Sequence, residues 1–379
     1  MEFDFSAEQK QLKEQARRYL ADHCDRTAVR AVLDGPQPYD KALWKGLGEL
    51  GYLGASIPEA YGGLGAGYLE ACVIAEELGR AVAPVPFSSS IALAAEFLMI
   101  AGSETQKQQH LRGLATGESI GCFAYAEGTG RVTSASIGTI ATRSGETARL
   151  SGTKTAVADG DVADFAVVAA RDSADATGLS LYLVDLKGAG VSRAPVATVD
   201  PTRSHARIEF TDAPAELLGA AGQGAALIER VFDRAAVLIA FEQLGGADRA
   251  LEMARDYALE RYAFGRPIGS LQAIKHMLAD MYVAATLARS NAYYGAWALS
   301  TNAAELPVAA ATARVSSTEA FQLCAKNNIQ VHGGMGFTWA FDCHLFYRRS
   351  NALALALGSQ STWEDLLIER LRQRNEAAA

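Results

Sequence analysis

The chain has 379 residues, 49% of them hydrophobic and 21% charged, enough for two or three folded units, since single cores rarely grow past roughly 250–300 residues. A net charge of -8 argues against nucleic acid as the main partner, which needs a basic face, yet leaves room for a locally basic anion pocket. The opening stretch MEFDFSAEQKQLKEQARRYL has no basic region followed by an apolar run, so a signal peptide is not expected. The longest apolar candidate, Ile91 to Ile100, is short and interrupted by Glu96; a membrane helix needs roughly 20 apolar residues, so no membrane insertion is expected. Five cysteines without CxxC spacing read as reduced thiols of a cytoplasmic protein. Six scattered histidines form no HxxxH pair, and no metal site is expected.

In chain order, residues 6 to about 117 carry a helical pattern. Ser6 stands before Glu8, Gln9 and an amphipathic run, as an N-cap would. Leu43, Leu47 and Leu50 recur at helical spacing before a glycine-rich break. A further helix is expected from about Tyr68 to Leu78, stopped by Gly79 and Pro84, and another from Thr105 to Leu114. Between about 118 and 222 the texture changes to short apolar runs, "DFAVVAA" (Asp164 to Ala170), "LSLYLVDL" (Leu179 to Leu186) and the alternating "HARIEFTD" (His205 to Asp212), separated by Gly, Asp and Ser clusters. These are strand signals at sandwich- or barrel-like spacing. From about 223 the chain is helical and alanine-rich. Helices are predicted over Ala225–Leu259, Ile268–Leu299, Pro307–Val331, Phe341–Leu357 and near Thr362–Arg372.

Three ordered stretches are more specific. "RYAFGRPIGSLQAIKHMLADMY" (Arg261 to Tyr282) sets a cation, an aromatic, glycines and a proline between two long helices. A plain helix-turn-helix explains its glycine and proline but not the rest. Together with "IPEAYGGLG" (Ile57 to Gly65) and "QVHGGMGFTW" (Gln330 to Trp339), it closely resembles the signatures of the acyl-CoA dehydrogenase family, over nearly the whole chain. The resemblance implies an α+β multidomain fold: an N-terminal helical domain (1–117), a middle antiparallel β domain (118–222) and a C-terminal four-helix bundle (223–379). It implies FAD as cofactor, with Arg261 on the pyrophosphate, a bidentate contact suited to guanidinium, and Phe264 and Gln272 packing on and bonding the flavin nucleotide. Gln330, Gly333 and Gly334 resemble the strip that meets the dinucleotide of a neighbouring subunit, where absent side chains permit close backbone approach. A dimer or tetramer, of like or unlike chains, is therefore expected, with an acyl-CoA substrate and an electron-transferring flavoprotein or similar acceptor.

Removing an α-proton from a thioester needs a carboxylate on one face of the substrate, with flavin taking the β-hydride on the other. Familiar members of the family carry this glutamate just before a Gly-Thr or Gly-Ser; here "YRRSNALALALGSQS" has Leu357 before Gly358. Other relatives carry it on the first long C-terminal helix. There "AAVLIAFEQLGGA" (Ala235 to Ala247) holds one acid, Glu242, in apolar company, with Gly245 and Gly246 on its helical face expected to leave room for a ligand. Glu242 is the candidate base; the bland alternative is a solvated stripe shared with Arg234 and Arg249. The pattern "EQLGG" with "DGDVAD" is similar to dehydrogenases of bulky or branched thioesters, including steroid side chains. The middle domain departs from the family: "YAEGTGRVTSA" keeps Glu127 but has Ala126 and Gly128 for threonine and proline, and no tryptophan follows Lys154. Ala124 and Ala126 fall where the family touches flavin. The weakened loop keeps a second reading open, a non-catalytic or flavin-poor subunit of a heteromeric dehydrogenase.

Overall fold

The computed structural model describes residues 5–172 and 178–377. By packing they fall into two compact units, one made of residues up to 30, 68–83 and 236–379, the other of 31–67 and 84–235.

The first unit is helical. Helix α1 (Ala7–His23) starts on Ser6, whose hydroxyl accepts the Gln9 amide while the Gln9 side chain accepts the Ser6 N–H, a capping box that satisfies two orphan donors. After α2 (Arg26–Leu33), which leads out of this unit, and α3 (Lys41–Glu49), which lies in the other, α4 (Tyr68–Ala81) returns to pack on α1. Acids buried on α4 tie these helices together: Glu76 takes Lys13 at 2.6 Å and Arg289 at 2.9 Å, and Glu77 takes Arg17 at 2.7 Å. A buried acid needs such partners, since removing one leaves an uncompensated charge.

Helix α4 does not stop at Gly79 as the sequence suggests. It continues to Ala81, because Gly79 is a contact point rather than a terminator: a Cβ there would overlap the Glu242 carbonyl oxygen. The close approach is reciprocal, for a Cβ on Gly245 would overlap the Glu76 carbonyl oxygen.

The second unit holds α5 (Phe87–Ser89), a π-helix at Ser90–Ala95, α6 (Glu96–Ala101), α7 (Glu104–Thr116) and the sheet. Its strands are β1 (Gly121–Ala124), β2 (Ile140–Ser144), β3 (Thr147–Ala158), β4 (Phe165–Asp172), β5 (Leu179–Asp185), β6 (Val191–Pro195) and β7 (His205–Leu218). They run in the order β1-β4-β2-β3-β7-β5, and β5 pairs back onto β4, so five strands close a ring with β1 and β6 beside it. Closure removes exposed edges. Pairing is antiparallel except for β1–β4 and β2–β4. The alternating burial of β3 and β7 follows the polar–apolar alternation of their sequence, whereas β4 and β5 are buried along almost their whole length.

The remaining helices complete the first unit: α8 (Gly224–Glu260) from residue 236 onward, α9 (Gln272–Ser300), α10 (Leu306–His332), α11 (Cys343–Leu355) and α12 (Gln360–Ala377). Helix α10 is the central member, packed on α9, α11 and α12, and its alanines at 309, 310, 311 and 313 are buried. The sequence-derived helix ranges agree to within a few residues, apart from a start at Ile268, where a 3-10 turn precedes α9. Among the described residues, no helix is long and apolar enough to cross a membrane.

Candidate active site

The predicted site residues fall into three groups. The first is the connection between α8 and α9. It is a miniature hairpin, not a plain turn: β8 (Tyr262–Ala263) pairs with β9 (Arg266–Pro267) around Phe264 and Gly265. Both turn residues have positive φ, +53° and +75°, as a tight primed turn requires. Glycine suits this conformation and phenylalanine does not. Yet the Phe264 ring is 92% exposed, so packing within the chain does not explain it. Arg261 and Gln272 are exposed on either side.

The second group ends α10. Gln330 is exposed, and Gly333 carries φ +58°. A Cβ on Gly333 or Gly334 would meet nothing within 4 Å. These glycines are not forced by the protein's own packing, in contrast to Gly79 and Gly245. A cavity of about 280 Å³ joins the first two groups, lined by Tyr257, Glu260, Arg261, Met335 and Phe341. His332 stacks on Tyr257 at 4.1 Å between ring centres, and burial lowers its pKa. An exposed guanidinium, glycines open on their side-chain face and an aromatic wall fit an extended anionic dinucleotide such as the FAD implied by the sequence.

The third group lies in the other unit. Ala124 is buried in β1, and Ala126 is half-buried with its carbonyl accepting the Thr155 N–H at 2.8 Å. Glu127 is fully engaged: it takes Lys154 Nζ at 2.6 Å, the Gly138 N–H at 2.5 Å, and both the N–H and hydroxyl of Thr139 at 3.0 and 2.7 Å. Lys154 is fully buried, and desolvation pushes its pKa down to about 8 against the pull of Glu127. The retained glutamate therefore closes the 125–139 loop onto β3.

Glu242 sits mid-way along α8 and is 2% exposed, which removes the solvated-stripe alternative. Arg234 and Arg249, the cations of that stripe, are engaged with Glu96 and Glu252. Nor is Glu242 alone in apolar company. Arg349 of α11, fully buried, reaches it at 3.3 Å and donates also to the Ala83 and Val82 carbonyls. The glycines beside it do not leave a ligand space. Gly245 is filled by α4, as above, and a Cβ on Gly246 would enter the Phe321 ring. The neighbouring Gln243 accepts from a second buried arginine, Arg314, at 2.7 Å. Both arginines escape a sequence reading because their partners lie 107 and 71 residues away.

Helices, a closed β-sheet and a helical bundle, with an open strip that includes Arg261 at the bundle's end, fit a three-part enzyme that holds a nucleotide cofactor. Family profiles match each part: the acyl-CoA dehydrogenase N-terminal domain over residues 6–118, the middle domain over 122–213 and the C-terminal domain over 222–371. The chain is 33% identical over 353 residues to the acyl-CoA dehydrogenase IpdE2 of Mycobacterium tuberculosis (strain ATCC 25618 / H37Rv), covering 93% of each. Among solved structures it is similar to a steroid ACAD variant, Tcur3481-Tcur3483, with TM-score 0.88, 30% identity and 98% and 99% coverage. It is also similar to an acyl-CoA dehydrogenase complexed with FAD from Bacillus anthracis, with TM-score 0.90, 25% identity and 99% and 68% coverage. The chain belongs to the acyl-CoA dehydrogenase family.

Proposed function

We propose that this protein is an FAD-dependent dehydrogenase that desaturates an acyl-CoA thioester between its α and β carbons, taking bulky or branched acyl groups. The observation that carries the reading is the open strip at the bundle end, where Gly333 and Gly334 face free space and Met335, next in the chain, lines a cavity with Arg261. Bound FAD would supply the two-electron acceptor for the β-hydride. Arg261 would hold the pyrophosphate, Phe264 and Gln272 would pack on and bond the nucleotide, and Gln330, Gly333 and Gly334 would let a neighbouring subunit's dinucleotide approach. Ala124 and Ala126 would line the flavin with small side chains in place of hydroxyl contacts. The three segments 1–117, 118–222 and 223–379 would be its domains. The working form would be an oligomer in the cytoplasm, passing electrons to an electron-transferring flavoprotein or similar acceptor. The curated relatives named as acyl-CoA dehydrogenases do not favour the non-catalytic alternative.

Glu242 is the proposed base for the α-proton. A specific observation favours a second role. Arg349, which reaches Glu242 and also donates to the Val82 and Ala83 carbonyls, makes Glu242 an anchor for the end of α4. The purified protein should show flavin absorbance that bleaches with a suitable acyl-CoA. Glu242→Gln separates the two roles. Kept flavin with lost turnover supports the base, whereas kept turnover with a lowered melting temperature assigns the anchor.

A further inference from the structure

The loop from Tyr125 to Thr139 hangs on one carboxylate. Glu127, near its start, accepts the Gly138 N–H at 2.5 Å and both the N–H and the hydroxyl of Thr139, at 3.0 and 2.7 Å, near its end. Lys154 fastens this knot to β3: its Nζ donates to Glu127 at 2.6 Å and to the Tyr125 carbonyl at 3.1 Å. Between these stems the chain is loosely built. Residues 128–131 are exposed, and a Cβ on Gly128 or Gly130 would meet nothing within 4 Å. Position 128, where a proline would fix φ, is a glycine with the backbone freedom that residue brings.

The sheet does not need a cation at Lys154. Its side chain is 0% exposed, and across the ladder it faces Ile208, which shares a face of β7 with buried Ala206 and Phe210. Arg207 and Glu209 alternate to the other face. Strand β1 brings Cys122, whose thiol burial keeps neutral, and the charged residue of β2, Arg143, is paired with Asp172. The Tyr125 phenol stacks on Phe123. Glu127 is thus the charged group that acts on Lys154. A methionine would fill the same slot without the desolvation of an ammonium, so the loop, not the sheet, accounts for the lysine.

Titration of Lys154 acts on the loop and on the whole fold in opposite directions. Burial lowers its pKa from the ordinary 10.5 to about 8. Between those values the unfolded chain holds more protons, so rising pH takes no global stability through this group. With the loop swung away, the ammonium would stay buried without Glu127, which raises its pKa in the closed form. The closed loop therefore binds the proton more tightly than the open one, and closure is lost as the pH rises through about 8.

We propose that the Lys154–Glu127 ion pair is a latch that seats the 125–139 loop, and with it the Ala126 backbone, against the flavin, so that FAD is held more weakly under alkaline conditions. Lys154 and Glu127 are positioning residues acting through Ala126, whose carbonyl accepts the Thr155 N–H at 2.8 Å beside the latch. The flavin as occupant rests on the dehydrogenase reading above; the latch itself does not.

The test uses the full-length, FAD-loaded protein and the variants Lys154→Met and Glu127→Gln, from about pH 7 to about pH 9, the span that brackets the lysine. Three quantities are measured: the dissociation constant for FAD, trypsin cleavage after the exposed Arg131 within the loop, and melting temperature. In the parent, FAD binding should weaken by about tenfold across this range, the reach of one charge-assisted hydrogen bond. Cleavage after Arg131, relative to Lys154→Met at the same pH, should quicken in step. Lys154→Met should bind FAD weakly and be cut quickly at every pH while melting close to the parent. Glu127→Gln keeps an accepting oxygen and should fall between the two, and with the parent's pH series it carries the test if Lys154→Met does not fold. Slow cleavage in both variants would end the latch. Fast cleavage with unchanged FAD binding would end the seating of the flavin. A melting loss in both variants that tracks the loss of FAD would reduce the pair to a structural role. A parent that takes up no FAD at any pH would overturn the dehydrogenase reading and the seat with it, while the cleavage pattern would still decide the latch.

Discussion

The middle of α8 and the connection that follows it are about 28 Å apart along one helix axis, at roughly 1.5 Å per residue, and they solve opposite problems. Around Glu242 and Gln243 everything is spoken for: two buried arginines, carbonyls from two helix ends, and glycines filled by neighbouring backbone or ring. Around Phe264 and Gly334 the chain shows a strained exposed ring and glycines facing empty space. Charged groups in the first region are engaged by other parts of the chain, while the unusual residues in the second are not explained by packing within it. Glycine illustrates the contrast, because the same residue is a packing necessity at Gly245 and an open face at Gly334.

The comparison breaks most readily at Arg349. Arg349→Met leaves Glu242 buried without its guanidinium and should cost about 3–5 kcal/mol, read as a large drop in melting temperature. Pairing it with Glu242→Leu should recover most of that loss, since an apolar pair of similar volume avoids the desolvation of both charges. A mild effect of Arg349→Met alone would mean that the buried region is less tightly determined than its geometry implies.

The two glycines sharpen the contrast. Gly245→Ala forces a methyl against the Glu76 carbonyl oxygen and should destabilise by about 1–3 kcal/mol, the usual cost of overpacking. Gly334→Ala meets nothing within 4 Å, so its melting temperature should hold while flavin content falls. Equal melting losses at both positions would erase the distinction. Phe264→Ala should behave like Gly334→Ala. An exposed ring contributes within about 0.5 kcal/mol to stability, and removing it also relieves no more than a local turn, so a change should register in the flavin occupancy of the purified protein.

Much of this was legible in sequence because it is local. The Ser6 cap, the alternating strand β7 and the helix ranges follow from neighbours within a few residues. The motif at Arg261 to Tyr282 was readable as a whole, although its hairpin was not, since two-residue strands carry no periodicity. The surroundings of Glu242 are not legible in the same way. An apolar run around an acid looks the same whether its partner is a substrate or an arginine 107 residues on. Likewise a Gly-Gly pair looks the same whether a ligand or Phe321 fills the space beside it. Local pattern gives the element; only tertiary packing gives the partner.

The smallest expected effect concerns His332, which lies at the seam between the two kinds of environment. Its Nδ1 is within 2.8 Å of the Asn328 carbonyl, its ring stacks on Tyr257 and meets Phe341 edge-on, and burial lowers its pKa below the ordinary 6.5. The folded protein thus resists protonation that the unfolded chain accepts. Below about pH 6.5 the unfolded state binds more protons, so stability should fall as pH falls through that range and be unaffected by this group above it. His332→Phe keeps a ring for the stack and removes the titration. Melting curves of the parent and His332→Phe should therefore converge or cross toward acid pH, with the parent losing more. Parallel curves would show that His332 is hydrated rather than enclosed. The aromatic wall that Tyr257 and Phe341 give the cavity would then be as open as the glycines at 333 and 334.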